Sequence, residues 1–336
     1  MIESAVHVPL LYGSVPAEPV PRGHYCNTVL SVLQDALDGC VLLVDENGIM
    51  FDEILHALTA WPVSHRKRAE ETIGKLERLN RFVTPRRPYS CSLVCSPSPC
   101  QHAVGIAAAF SASVLVAPDS CPTVGAPCSP LPGTIPLNTY SQSTLASSIR
   151  KSANVVLTNG QWSRRHFQAA VWTPIFLYAK HVLLVDPYIG RHLIGPHRVR
   201  NTIAPRYDRS LSWVFAQFVR NSNSSSPRTF HIVTGVPRGR ATRHAASVLH
   251  SFAEELSQVW DPRGLVEMRI TVKEESDSLR LPHDRYLFTD QISLLVSRGF
   301  DLLGEDGRVR DVHIAIAPHA VRQKMAAEAA RLPTVP

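Results

Sequence analysis

The run Leu281-Pro282-His283-Asp284-Arg285-Tyr286-Leu287-Phe288-Thr289-Asp290 brings an imidazole, a guanidinium and a carboxylate close together in the chain. Read as a strand, its period-two alternation puts His283 and Arg285 on one face, and Asp290, at the end, can turn back toward them. Those groups suit phosphoryl transfer. An imidazole can attack phosphorus or protonate a leaving oxygen, a guanidinium can grip the non-bridging oxygens, and a carboxylate can hold the imidazole in the useful tautomer. On this reading His283, Arg285 and Asp290 are the catalytic candidates.

A second group lies upstream. His181-Val182-Leu183-Leu184-Val185 reads as a strand that ends at Asp186-Pro187-Tyr188, and ligands of α/β sheets collect beyond the carboxyl ends of strands. Asp186 and Tyr188 are therefore phosphate-binding candidates, followed by Arg191, His192 and Arg298. The plain alternatives are a strand-ending turn for the first two and a solvated basic surface for the rest. Charge points the same way: residues 1–150 carry ten Lys/Arg against twelve Asp/Glu, a net of −2, whereas residues 151–336 carry 25 against 16, a net of +9. Of those 25 cations 21 are arginine, whose planar fork pairs two phosphate oxygens at once.

The elements that must position these groups follow from apolar patterning. Residues 1–23 are Pro-rich without clear periodicity and read as an irregular leader. A helix is expected after Asn27, then a buried strand at Cys40-Val41-Leu42-Leu43-Val44, then helical spacing over 51–60 and 64–83. A small-residue helix over 102–110 and a strand over 112–116 come next, followed by a Pro/Gly/Ser/Thr-rich loop over 120–140 and an interdomain passage over 139–152. The second half alternates: helix 161–178, strand 181–185, helix 210–221, strand 229–234, helix 242–258, strand 265–272 and strand 286–289. The expectation is an α/β protein with two α/β domains, one over 24–140 and one over 153–316, and a C-terminal helix and tail over 317–336.

With its spacing His283-x-Arg285-x4-Asp290, the chain resembles the phospholipase D superfamily, whose motif is His-x-Lys-x4-Asp. More closely, Asp186-Pro187-Tyr188-Ile189, His283-Asp284-Arg285 and Ser297-Arg298-Gly299-Phe300-Asp301 resemble, in that order, the phospholipase-D-like C-terminal domain of MIT-domain proteins; the likeness covers roughly residues 160–304. It implies a sheet flanked by helices and a metal-independent phosphodiester site. Arginine stands where the superfamily has lysine, and one copy of the motif is present where most members have two. A homodimer bringing two His283 together would restore the pair. A non-catalytic domain binding phospholipid headgroups is the other reading the resemblance allows.

The first half resembles PIN-like nuclease domains, with a three-layer sheet implied: a strand ending at Asp45, Asp52 and Glu53 opening the next helix, and a later strand ending at Asp119. The resemblance implies carboxylates converging on Mg²⁺ or Mn²⁺. The acidic residue such domains place just before the helix read here over 102–110 is absent, since the chain reads Cys100-Gln101-His102 there; Glu71 or Glu77 is the available substitute. Cys91, Cys95 and Cys100 lack paired zinc spacing, and the odd count of seven cysteines suits reduced thiols. No basic N-terminal region or stretch of about 18 apolar residues appears, so a cytoplasmic location is expected. Together these readings favour a nuclease acting on RNA or DNA, by analogy a prokaryotic defence effector, alone or as a subunit of a larger complex. The alternative is a module that recognises phosphate on nucleic acid or lipid without cutting it.

Overall fold

The computed structural model describes residues 2–6, 19–84, 113–116, 134–152, 154–157, 162–194, 200–221, 227–304, 307–318 and 320–336. The chain divides into two compact units, Met1–Ala153 and Asn154–Pro336. Both are mixed α/β, and no helix among the described residues is long and apolar enough to cross a membrane. The expected helix over 102–110, the cysteines at 91–100 and Asp119 lie outside the described residues.

The first unit is built on five parallel strands in the order β3-β2-β1-β4-β5. The strands are β1 (Ile2–Val6), β2 (Cys40–Leu43), β3 (Phe82–Val83), β4 (Ser113–Val116) and β5 (Thr134–Pro136). The helices are α1 (Pro19–Gly39), α2 (Ile49–Ala57), α3 (Val63–Arg78) and α4 (Thr144–Ser152). Val29, Val32, Leu33 and Ala36 of α1 fall on one face and pack with Ala69, Ile73 and Leu76 of α3 and with Leu145 and Ile149 of α4.

Three expectations are corrected here. The supposed leader contains β1, the central strand, paired on both sides with β2 and β4. Helix α1 begins at Pro19, so Asn27 sits inside it and accepts through its main-chain carbonyl from Ser31 at 3.1 Å instead of capping it. The passage expected over 139–152 is a 3-10 turn (Leu137–Gln142) and α4, which supply Leu137, Tyr140, Leu145 and Ile149 to the core.

The second unit holds an eight-stranded mixed sheet in the order β13-β9-β8-β7-β10-β11-β12-β6. Strands β7 (His181–Val185), β8 (Arg228–Pro237) and β9 (Val266–Glu275) are parallel. Strands β10 (Tyr286–Thr289), β11 (Ser293–Val296), β12 (Val312–Ile316) and β6 (Asn154–Leu157) form an antiparallel meander joined to β7. Helices are α5 (residues 164–176, with a π turn at Gln168–Trp172), α6 (Tyr188–Arg191), α7 (Pro205–Arg220), α8 (Thr242–Trp260) and α9 (Ala320–Ala330).

Helix α7 opens on Pro205, whose fixed φ and missing N–H suit the first helical turn, and α8 buries Ala245, Ala246, Leu249, Phe252, Ala253 and Leu256 at helical spacing. At the end of α8 the Asp261 carboxylate accepts the Leu265 and Val266 amides at 3.0 and 2.7 Å, turning the chain into β9. The expected tail is part of the fold: Met325 of α9 packs on Val185, Val233, Tyr286 and Phe288, and β13 (Thr334–Val335) pairs with β9.

This arrangement has a geometric consequence. Because β7, β8 and β9 run one way and β10 the other, the ends of β7, β8, β9 and β11 and the start of β10 share one edge of the sheet. The asymmetry of β1 yields a test: deleting residues 1–10 should collapse the first unit, read as loss of far-UV ellipticity and rapid proteolysis of α1–α4, whereas a dispensable leader would leave both unchanged.

Candidate functional site

Strand β7 delivers Asp186 to that edge, fully buried. Its Oδ1 accepts the Tyr188 amide at 2.8 Å and its Oδ2 the Phe300 amide at 3.1 Å. Burial pushes its carboxyl up to about 6, against the pull of those two amides and of nearby Arg285. Gly299 makes the second contact possible: its φ is +81°, and a Cβ there would lie 2.7 Å from Asp186 Oδ2 and 3.1 Å from Arg285 Nε. Only glycine fits both the left-handed backbone and the space.

Tyr188, set by that turn, reaches His283: its hydroxyl lies 2.6 Å from His283 Nδ1. Arg285 lies over the Tyr188 ring, 4.2 Å from its centroid, and donates through Nη1 to the Ser297 carbonyl at 2.8 Å. Arg191 covers the same ring at 4.9 Å and is gripped by Glu275 through Nε and Nη2 at 2.6 and 2.7 Å. His283 and Arg298 are exposed. Asp186, Tyr188, Arg191, His283 and Arg285 are thus joined by direct contacts, and Arg298 adjoins them next to Gly299.

Two placements differ from expectation. His283 and Arg285 precede β10 in a loop and do not lie within the strand, because the strand begins only where the buried run Tyr286-Leu287-Phe288-Thr289 starts. Asp290 does not turn back: it follows the far end of β10, about 13 Å of strand away, where its Oδ1 accepts the Lys180 and His181 amides at 2.9 and 3.2 Å and fixes the start of β7. His283 therefore has a phenol, and not that carboxylate, as its partner.

His192 is turned to other work. Its Nε2 lies 2.6 Å from Arg206 Nη2, and since arginine can only donate, the ring accepts there as the neutral form; burial and the Arg206 charge lower its pKa accordingly. Glu275 escaped sequence reading. The signal was there in Lys273-Glu274-Glu275, an acid ending a strand at the same edge as Asp186 with β8 between them, and the close approach of its carboxylate to Gly235, where a Cβ would lie 2.5 Å from Oε1, requires that glycine.

In the first unit the Asp45 carboxylate is buried and accepts the Ile49 and Met50 amides at 3.1 and 2.7 Å, opening α2. Asp52 is exposed and Glu53 partly so on that helix. Glu71 lines a cleft of about 450 Å³ between α1 and α3 with Asp35, Arg68 and Lys75, and Glu77 is exposed on α3. Among the described residues no group of three or more His, Cys, Asp or Glu could hold a metal ion. Both Asp45 oxygens accept main-chain amides, and Asp119, the last of the expected Mg²⁺ or Mn²⁺ ligands, lies outside the described residues. A scan against protein-family models and a comparison with curated proteins give no match.

Two outcomes test this geometry. Asp290→Ala strips two amides of their acceptor and should lower stability by about 1–3 kcal/mol in chemical denaturation, leaving any phosphate binding at the opposite edge intact; a selective loss of binding would restore the orienting role. Asp186 has a folded pKa above its ordinary value, so its contribution to stability is complete below about pH 4 and fades as pH rises through about 6. Asp186→Asn should flatten the decline in unfolding free energy between pH 4 and 7 by roughly 2–3 kcal/mol, and parallel pH profiles for the two proteins would refute it.

Proposed function

We propose that the second unit recognises phosphate at this sheet edge, as a binding module in which His283, Arg285, Arg191 and Arg298 supply the donors. The observation that carries the reading is the Tyr188–His283 contact at 2.6 Å beneath two guanidinium groups stacked on the same ring. With Nδ1 engaged by the phenol, Nε2 is the nitrogen left for a ligand. A phenol donating to Nδ1 leaves Nε2 protonated, a donor suited to a phosphate oxygen.

The resemblance to phospholipase-D-like domains supports a phosphate ligand through the same residues. Hydrolysis is supported less well. A nucleophilic imidazole needs Nε2 unprotonated, which a carboxylate at Nδ1 would enforce; Asp290 is spent elsewhere, and Asp186 is fully buried with both oxygens on amides. A hydrolase would thus require a second His283 from another copy of the chain.

The test uses the full chain, a labelled oligonucleotide, and inorganic phosphate as competitor. His283→Ala and Arg285→Ala should each weaken binding about five-fold or more, and phosphate should compete. No effect from either substitution would sink the reading. Cleavage of RNA or DNA that survives EDTA and vanishes in His283→Ala would replace it with the hydrolase.

A further inference from the structure

We propose that the loop joining β8 to α8 extends this site into a track for the backbone of a nucleic-acid strand; the inference rests on the phosphate reading above and names its polymer. The loop reads Pro237-Arg238-Gly239-Arg240-Ala241-Thr242-Arg243-His244. It leaves the same sheet edge, since β8 is parallel to β7.

The loop is built and not merely connecting. Thr242 is buried. Its hydroxyl accepts the Gly239 amide at 2.8 Å and reaches the Pro237 and Gly239 carbonyls at 2.9 and 2.8 Å. Arg238 donates its amide to the Glu275 carbonyl at 2.8 Å and pairs with Glu274 at 3.0 Å. Glu275 in turn holds Arg191 over Tyr188, so the loop abuts the phosphate site through an unbroken chain of contacts. His244 meets Asn201 at 3.0 Å on the flank.

On this frame Arg240 and Arg243 are exposed, and neither makes a hydrogen bond or ion pair with the described residues. Arg298 is in the same condition at the end of β11. From β8 to β11 the edge crosses β7 and β10, three steps of about 4.8 Å or ~14 Å in all. One phosphate engages the centre only. Cations held at both ends of such a row, with no carboxylate partner among the described residues, match a ligand with phosphates in series, and arginine suits phosphate oxygens.

A membrane surface fits less well, because apolar anchors are missing from this edge. Of the exposed large hydrophobic residues described in this unit, Val259 and Leu265 flank the opposite end of β9, and only Leu279 lies near the site. Leu279 alone offers little to insert.

The experiment measures affinity for a labelled single-stranded DNA of roughly 12 nucleotides, within the usual span of such sites, across a salt series. Inorganic phosphate and phosphatidylserine vesicles are measured beside it. Arg240→Ala with Arg243→Ala should weaken the oligonucleotide at least ten-fold, make the slope of log affinity against log salt shallower by about 1.4, and leave phosphate affinity unchanged. The double lysine variant should restore the slope, which a folding defect would not allow. An unchanged slope, an equal loss of phosphate affinity, or a loss confined to vesicles would each overturn the proposal. Its failure is distinct from that of the phosphate reading, since His283→Ala and Arg285→Ala should lower the affinity for inorganic phosphate itself, which the Arg240 and Arg243 variants leave unchanged.

Discussion

The sheet edge depends on one buried carboxylate. Asp186 is wholly removed from solvent, yet each of its oxygens accepts a main-chain amide, one from the turn that follows β7 and one from the loop after β11. Those loops are far apart in sequence, and the carboxylate ties one main chain to the other. Burying the charge is costly, which is why the acid is weakened, and the two amides offset part of the cost. What results is a fixed Tyr188, and Tyr188 is the platform on which His283, Arg285 and Arg191 are arranged.

The same device recurs throughout the chain. Asp45 opens α2, Asp261 turns α8 into β9, Asp290 fixes the start of β7, and Glu275 accepts the Leu281 amide while holding Arg191. Each acid terminates or follows one regular element and accepts amides from another segment, tying the two together. In a sequence such a residue looks the same as a metal ligand or a catalytic carboxylate, because both occupy loop positions at strand ends. That ambiguity is why Asp45 and Asp290 invited chemical roles and Glu275 invited none, although Glu275 touches the site and Asp290 does not.

The legible part of the fold was the part with continuous apolar runs. Strands β7 and β10 were readable residue for residue, and α8 began where its spacing indicated. Strand β1, reading Ile-Glu-Ser-Ala-Val, is central by its pairing with β2 and β4, but its composition carries neither a continuous nor an alternating signal. The short strands β11, β12 and β13 draw their identity from neighbours brought near by the fold, which no local window contains. For the site, residue types at 186, 188, 283 and 285 were legible because spacing along single segments reveals them. Their partnerships were not: a tyrosine 95 positions away from the histidine it contacts is a product of sheet order.

Sheet order also bears on the choice between holding phosphate and cleaving it. Placing the histidine ahead of β10 and the aspartate behind it puts them on opposite edges, so motif spacing that suggests a cooperating pair separates an exposed histidine from a carboxylate that fixes the start of β7. The edge that carries His283 gathers donors instead: an exposed imidazole, a guanidinium anchored by a carbonyl, another anchored by Glu275, and Arg298, which pairs with none of the described residues. Donors fixed by their own partners lose little freedom when an anion arrives. A site organised this way would hold an anion without needing a proton to move, and the two buried carboxylates behind it, Asp186 and Glu275, are committed to amides and to Arg191.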